Sequence, residues 1–168
     1  MRILILAASA LALALPVAAF ASPPAPPAAD AKRKPPYMAS IQASRARMRT
    51  GPARTYPASW LYQRAGLPVR VVATHKEWRK VEDPDGTQGW MQGNLLSDTR
   101  TAIVRSAQPI DMRERPSISG KLMWRAAPGV VGQVSACIDG WCRFDIKGQA
   151  AYVEVGGLWG VEAGEVLP

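Results

Sequence analysis

Apolar and polar positions in this chain alternate over short runs and nowhere sustain a stripe at helical spacing. Val69-Arg70-Val71-Val72-Ala73, Trp78 to Glu82 and Gly89-Trp90-Met91 are β-rich pieces set between Gly, Pro and Asp, with breaks at intervals of roughly eight to ten residues. Asp83-Pro84-Asp85-Gly86 has the chemistry of a turn, since Pro presets φ and Gly accepts a positive one. The pattern then recurs about sixty-three residues on. Arg47-Met48-Arg49-Thr50-Gly51-Pro52 is echoed by Asp111-Met112-Arg113-Glu114-Arg115-Pro116, Trp78-Arg79-Lys80-Val81 by Trp141-Cys142-Arg143-Phe144, and Gly89-Trp90-Met91 by Ala151-Tyr152-Val153. An all-β protein of two copies of one module follows, each copy a small, strongly bent barrel or sandwich.

What precedes the repeats is of a different character. Arg2, the apolar run from Ile3 to about Leu15 and the small residues Ala19-Phe20-Ala21 read as a signal peptide over residues 1–21, cleaved after Ala21. The run is too short and too Ala-rich for a stable span in the mature form, so the protein is expected in the periplasm or secreted. Residues 22–37, dense in Pro and Ala, read as a disordered tether whose prolines favour extended geometry. The first module is then expected at residues 38–100 and the second at 101–168. Thr101-Ala102-Ile103-Val104 reads as a strand rather than a linker, so the two should form one rigid unit.

Charge changes the picture further. The chain carries a formal +8. Between Asp30 and Glu77 stand Lys32, Arg33, Lys34, Arg45, Arg47, Arg49, Arg54, Arg64, Arg70 and Lys76 with no acidic residue, while the second half is nearly balanced. Such a field attracts anions and fades with salt; it also serves mere solubility. An exported protein has little occasion to meet nucleic acid, which is not expected as a partner.

The aromatics Trp60, Tyr62, Trp78, Trp90, Trp124, Trp141, Tyr152 and Trp159 read chiefly as core and near-core residues, a stacking surface being the second reading. In Cys137-Ile138-Asp139-Gly140-Trp141-Cys142 the Asp-Gly pair specifies a two-residue hairpin loop, which sets Ile138 against Trp141 and Cys137 against Cys142. Their Cα atoms would then lie about 4.5 Å apart, within disulfide range, and export supplies the oxidising environment. Two thiols and the single His75 do not make a metal site, so no metal or other cofactor is expected.

No catalytic set stands out. His75 falls where the first module's matching hairpin should turn; Glu82, Asp83 and Asp85 surround a turn and read as solvated; Glu154, Glu162 and Glu165 have no nucleophile or histidine beside them in sequence.

Ala46 to Pro52 with Tyr56-Pro57, Gly66-Leu67-Pro68-Val69, Trp78-Arg79-Lys80-Val81, Asp85 to Trp90 and Leu95-Leu96 together resemble the bacterial SH3-like (SH3b) domain of exported proteins, of the alphaproteobacterial type. Gly140-Trp141-Cys142-Arg143 and Leu158-Trp159-Gly160-Val161 extend the resemblance to the second copy, with Ala151-Tyr152 where Gly-Trp would stand. The resemblance implies a five- to six-stranded SH3-like barrel per module and a non-enzymatic binding role towards peptidoglycan or another envelope partner. Polyproline recognition does not follow, because Gln92 and Leu95 occupy the places of the Pro and Tyr that line such a groove. Candidate contacts are Tyr56, Trp60 and Trp78 for apolar surface and Arg47, Arg49, Arg54 and Arg79 for anions. The alternative is a structural or adaptor protein that binds an envelope protein through a sheet edge.

Overall fold

The computed structural model describes residues 33–167, so the expected signal peptide and residues 22–32 of the expected tether lie outside the described residues. Each copy is one seven-stranded antiparallel sheet. The first comprises β1 (Tyr37–Ile41), β2 (Ala46–Arg49), β3 (Ala58–Tyr62), β4 (Pro68–His75), β5 (Trp78–Glu82), β6 (Gln88–Gln92) and, after a 3-10 turn at Gly93–Leu95, β7 (Leu96–Ser97). The second repeats it as β8 (Thr101–Val104), β9 (Ile110–Arg113), β10 (Leu122–Ala126), β11 (Val131–Ile138), β12 (Trp141–Ile146), β13 (Gln149–Glu154), a 3-10 turn at Val155–Gly157, and β14 (Leu158–Trp159). The strand orders, β3-β2-β6-β5-β4-β1-β7 and β10-β9-β13-β12-β11-β8-β14, are the same. The seventh strand, two residues long, is what raises the count above the five or six expected.

The connection between β1 and β2 forces the sheet to roll. These strands lie four places apart in the sheet, which would be roughly 19 Å if it were flat, yet only the five steps from Ile41 to Ala46 join them, about 18 Å at full extension. Curling brings both onto one core. Ala39 and Ile41 of β1 and Ala46 and Met48 of β2 are buried together with Val69, Val71, Val81 and Met91. In the second copy Ala102, Val104, Met112, Val134, Phe144 and Val153 do the same.

Every residue of β8 is buried, which no strand with one wet face would show. Ala102 and Val104 enter the second core, whereas Ile103 belongs to the first, where Val131 and Trp159 also pack. Arg64 donates to the Gly129 carbonyl at 2.9 Å across the same junction. The two copies therefore share apolar surface through one strand.

The hairpin of β11 and β12 follows the register read from its sequence. Ile138 pairs with Trp141, Asp139 and Gly140 take positive φ, and Cys137 and Cys142 are joined with their Cα atoms 4.1 Å apart. Replacing both cysteines by Ser should cost about 1–3 kcal/mol in chemical denaturation without abolishing the fold, because the closed loop is short. In the first copy the same cross-strand position pairs Thr74 with Arg79.

Two acidic residues are structural. Asp83, expected to be solvated, is buried: its carboxylate accepts from the Asp85 and Thr87 amides at 3.0 and 2.8 Å and from the Tyr62 hydroxyl at 2.7 Å. Burial, with that bond to a carboxylate, pushes the Tyr62 phenol far up. Glu165 forms a two-pronged pair with Arg100, whose second nitrogen also donates to the Gly160 carbonyl at 2.9 Å. The hydrogen bond from Arg100 outweighs partial burial and holds the Glu165 carboxyl below its ordinary value. A carboxyl depressed in the folded state adds stability above its unfolded pKa, and that stability is lost as pH falls through the folded one. Glu165→Gln should thus lower Tm at neutral pH, and the difference from the parent should vanish in melts at acid pH.

Candidate ligand grooves

The outer face of the sheet carries a groove at the same place in each copy. In the first, β2 sets Ala46 and Met48 inward and so turns Arg45, Arg47 and Arg49 outward. On β5 the core residue is Val81, so Trp78 also faces outward, directly across from Gln92 of β6. Arg45, Arg47, Arg49, Trp78, Gln92 and Leu95 line a groove of about 200 Å³. Arg49 is pinned by a 2.6 Å bond to the Tyr56 carbonyl. None of the three arginines has an ion-pair partner among the described residues. Three guanidinium charges on one face, with no counter-ion among the described residues, have the chemistry to attract an anion.

The residues expected to bind fall into three groups. Arg47, Arg49 and Trp78 meet in the groove, but Trp78 is only 4 % exposed, so it forms the floor and offers a ligand little surface. Tyr56, Trp60 and Arg54 are exposed elsewhere. Tyr56 lies over Gly51, whose missing Cβ would stand 2.5 Å from the ring, and Arg54 sits in that same loop. Trp60, 57 % exposed, projects from the edge strand β3, which corrects its reading as a core residue. Arg79 is the third case. It is 5 % exposed and donates to the Lys76 and Trp78 carbonyls at 2.9 and 3.1 Å, so it supports the β4–β5 hairpin instead of facing an outside anion. Sequence reasoning missed Arg45, Gln92 and Leu95 as groove residues. The alternation Arg45-Ala46-Arg47-Met48-Arg49 was the available signal for the first.

In the second copy the corresponding groove is wider, about 560 Å³. Pro109 replaces Arg45, Asp111 replaces Arg47, Glu154 replaces Gln92 and Gly157 replaces Leu95, while Arg113 and Trp141 keep the places of Arg49 and Trp78. Its arginine is engaged internally: Arg113 donates to Asp111 at 2.6 Å and to the Gly120 carbonyl at 2.8 Å, and Arg125 meets the other Asp111 oxygen at 3.0 Å. A bacterial SH3 domain family model matches the sequence twice, over residues 42–98 and 106–160. The chain belongs to the bacterial SH3 domain family. Each match covers one of the two sheets from just past its first strand to the end of its last or beyond. No curated protein matches the chain.

Solved structures similar to these tandem SH3 domains include NlpC2 and NlpC1 from Trichomonas vaginalis and an NlpC/P60 family protein from Bacillus cereus ATCC 10987. Identities are 10, 12 and 16 %, with a TM-score of 0.34 in each case. The alignments cover 76, 77 and 73 % of this chain and 49, 48 and 56 % of theirs, so the chain spans about half the length of those proteins. Among the described residues no cluster of three His, Cys, Asp or Glu side chains is placed to hold a metal ion, and no helix is long and apolar enough to cross a membrane. His75, exposed at the β4–β5 turn, meets Trp90 edge-on with ring centroids 6.5 Å apart.

Proposed function

We propose that this protein is a non-catalytic binding module of the cell envelope, exported behind a cleaved signal peptide and carried on its Pro-rich segment, with its two copies at residues 38–100 and 101–168. The first copy holds a carboxylate-rich wall polymer such as peptidoglycan. One observation carries this reading: Arg45, Arg47 and Arg49 converge on a single groove and have no ion-pair partner among the described residues. An extended polyanion bridging three guanidinium groups gains from each, although each attraction is screened and of order 1 kcal/mol or less. Binding is weak per site and falls with salt.

The adaptor reading has its own support in β3, an edge strand that exposes Trp60 and Leu61 beside unpaired backbone groups. Purified sacculi and a membrane extract, offered side by side over a salt series, separate the two. The wall reading predicts cosedimentation with sacculi that declines as salt rises. A specific protein recovered from the extract with no retention on sacculi would favour the adaptor and overturn it.

A further inference from the structure

We propose that the groove of the second copy is a site for an alkylammonium group, the side chain of a lysine or a similar diamino acid. The inference goes beyond the envelope reading and does not require it. Four positions change between the grooves, and the three that alter charge all change towards negative: Arg45 to Pro109, Arg47 to Asp111 and Gln92 to Glu154. What remains cationic there, Arg113, is committed to Asp111 and to the Gly120 carbonyl, and Arg125 is likewise bonded to Asp111. Glu154 is different. It is exposed and has no ion-pair partner among the described residues.

Glu154 is the direct cross-strand partner of Trp141, a relation that sets the two Cβ atoms about 5 Å apart on one face. Trp141 is half-buried where Trp78 is nearly closed off, because Gly157 stands in place of Leu95 and Pro109 in place of Arg45. An indole and a carboxylate side by side are the two groups that recognise an ammonium, one through its ring quadrupole and one through a charge-assisted hydrogen bond. Pro109, Ile110 and Ile118, the last 77 % exposed, supply apolar wall for a methylene stem. An anion would meet an unpaired carboxylate here, and an uncharged ring would leave that carboxylate short of a strong donor.

The test is an NMR titration of the 15N-labelled protein with Nα-acetyl-lysine amide, reading the Trp141 indole N–H and the Cys142, Val153 and Glu154 amides against Trp78, Arg79, Met91 and Gln92 of the first copy. The second set should remain still while the first shifts and saturates. Glu154→Gln, an exposed isosteric change that spares the fold, should weaken the affinity about tenfold, and capping the ammonium as Nα,Nε-diacetyl-lysine amide should abolish the shifts. Absence of saturable shifts, equal shifts from the diacetylated probe or from an N-acetylglucosamine oligomer, shifts centred on the first copy, or unchanged affinity in Glu154→Gln would each overturn the proposal. The probe contains no polymer, so failure of sacculus binding leaves this result standing, and the reverse holds as well.

Discussion

Truncating Phe144 to Ala should lower the unfolding free energy by about 3–5 kcal/mol. Phe144 is fully buried on β12, and its ring packs onto the bare backbone of Gly132, where a Cβ would stand 2.6 Å from it. No neighbour can move in to fill the space. Val134, Met112 and Val153 come from three other strands of the rolled sheet, each fixed by its own backbone pairing. Against a total stability of about 5–15 kcal/mol, the loss is a large share of what holds the protein folded. Urea denaturation followed by tryptophan fluorescence measures it; a loss below about 1 kcal/mol would mean that the second core is not packed as described.

Ile103→Ala should cost about 2–4 kcal/mol and should be felt by the first copy, although Ile103 belongs by sequence to the second. Its side chain completes the core built by Ile41, Val69 and Val71, while its neighbours Ala102 and Val104 point into the other core. Because one strand serves both cores, the variant should still unfold in a single transition at a lower urea concentration. Two separate transitions in the parent, with the first copy's midpoint unmoved by the substitution, would show that the copies are independent.

The parts of the fold readable in the sequence are those fixed by local chemistry. The local pattern marked β4, β5, β6 and β8, the recurrence marked the two copies, and Asp139-Gly140 set a hairpin register that brought Cys137 to Cys142 without any long-range information. The seventh strand was not legible, because two residues such as Leu96-Ser97 become a strand only when β1 has curled round to meet them. Long-range pairing also decided the site. Arg79 alternates with the outward Trp78 and therefore points inward, where it donates to the Lys76 and Trp78 carbonyls of the β4–β5 hairpin. Asp83 looked solvated until Tyr62, twenty-one residues earlier in the chain, was placed on it by β3. The charge difference between the two grooves was present in the repeat from the start, in Arg47 against Asp111, but Gln92 and Glu154 join that comparison only through their pairing with Trp78 and Trp141.

The affinity of Arg45→Gln/Arg47→Gln for purified sacculi at low salt tests the cationic groove of the first copy most directly, with Arg54→Gln as the matched control. Both changes are on exposed side chains with no ion-pair partner among the described residues to disrupt, so the melting temperature should hold. Two attractions of order 1 kcal/mol or less predict a loss of about tenfold in affinity together with a flatter salt dependence, while Arg54→Gln, whose side chain does not line the groove, should bind as the parent does. If the double variant and the Arg54 control bind alike, or if both bind as well as the parent, the groove is not where the polymer is held.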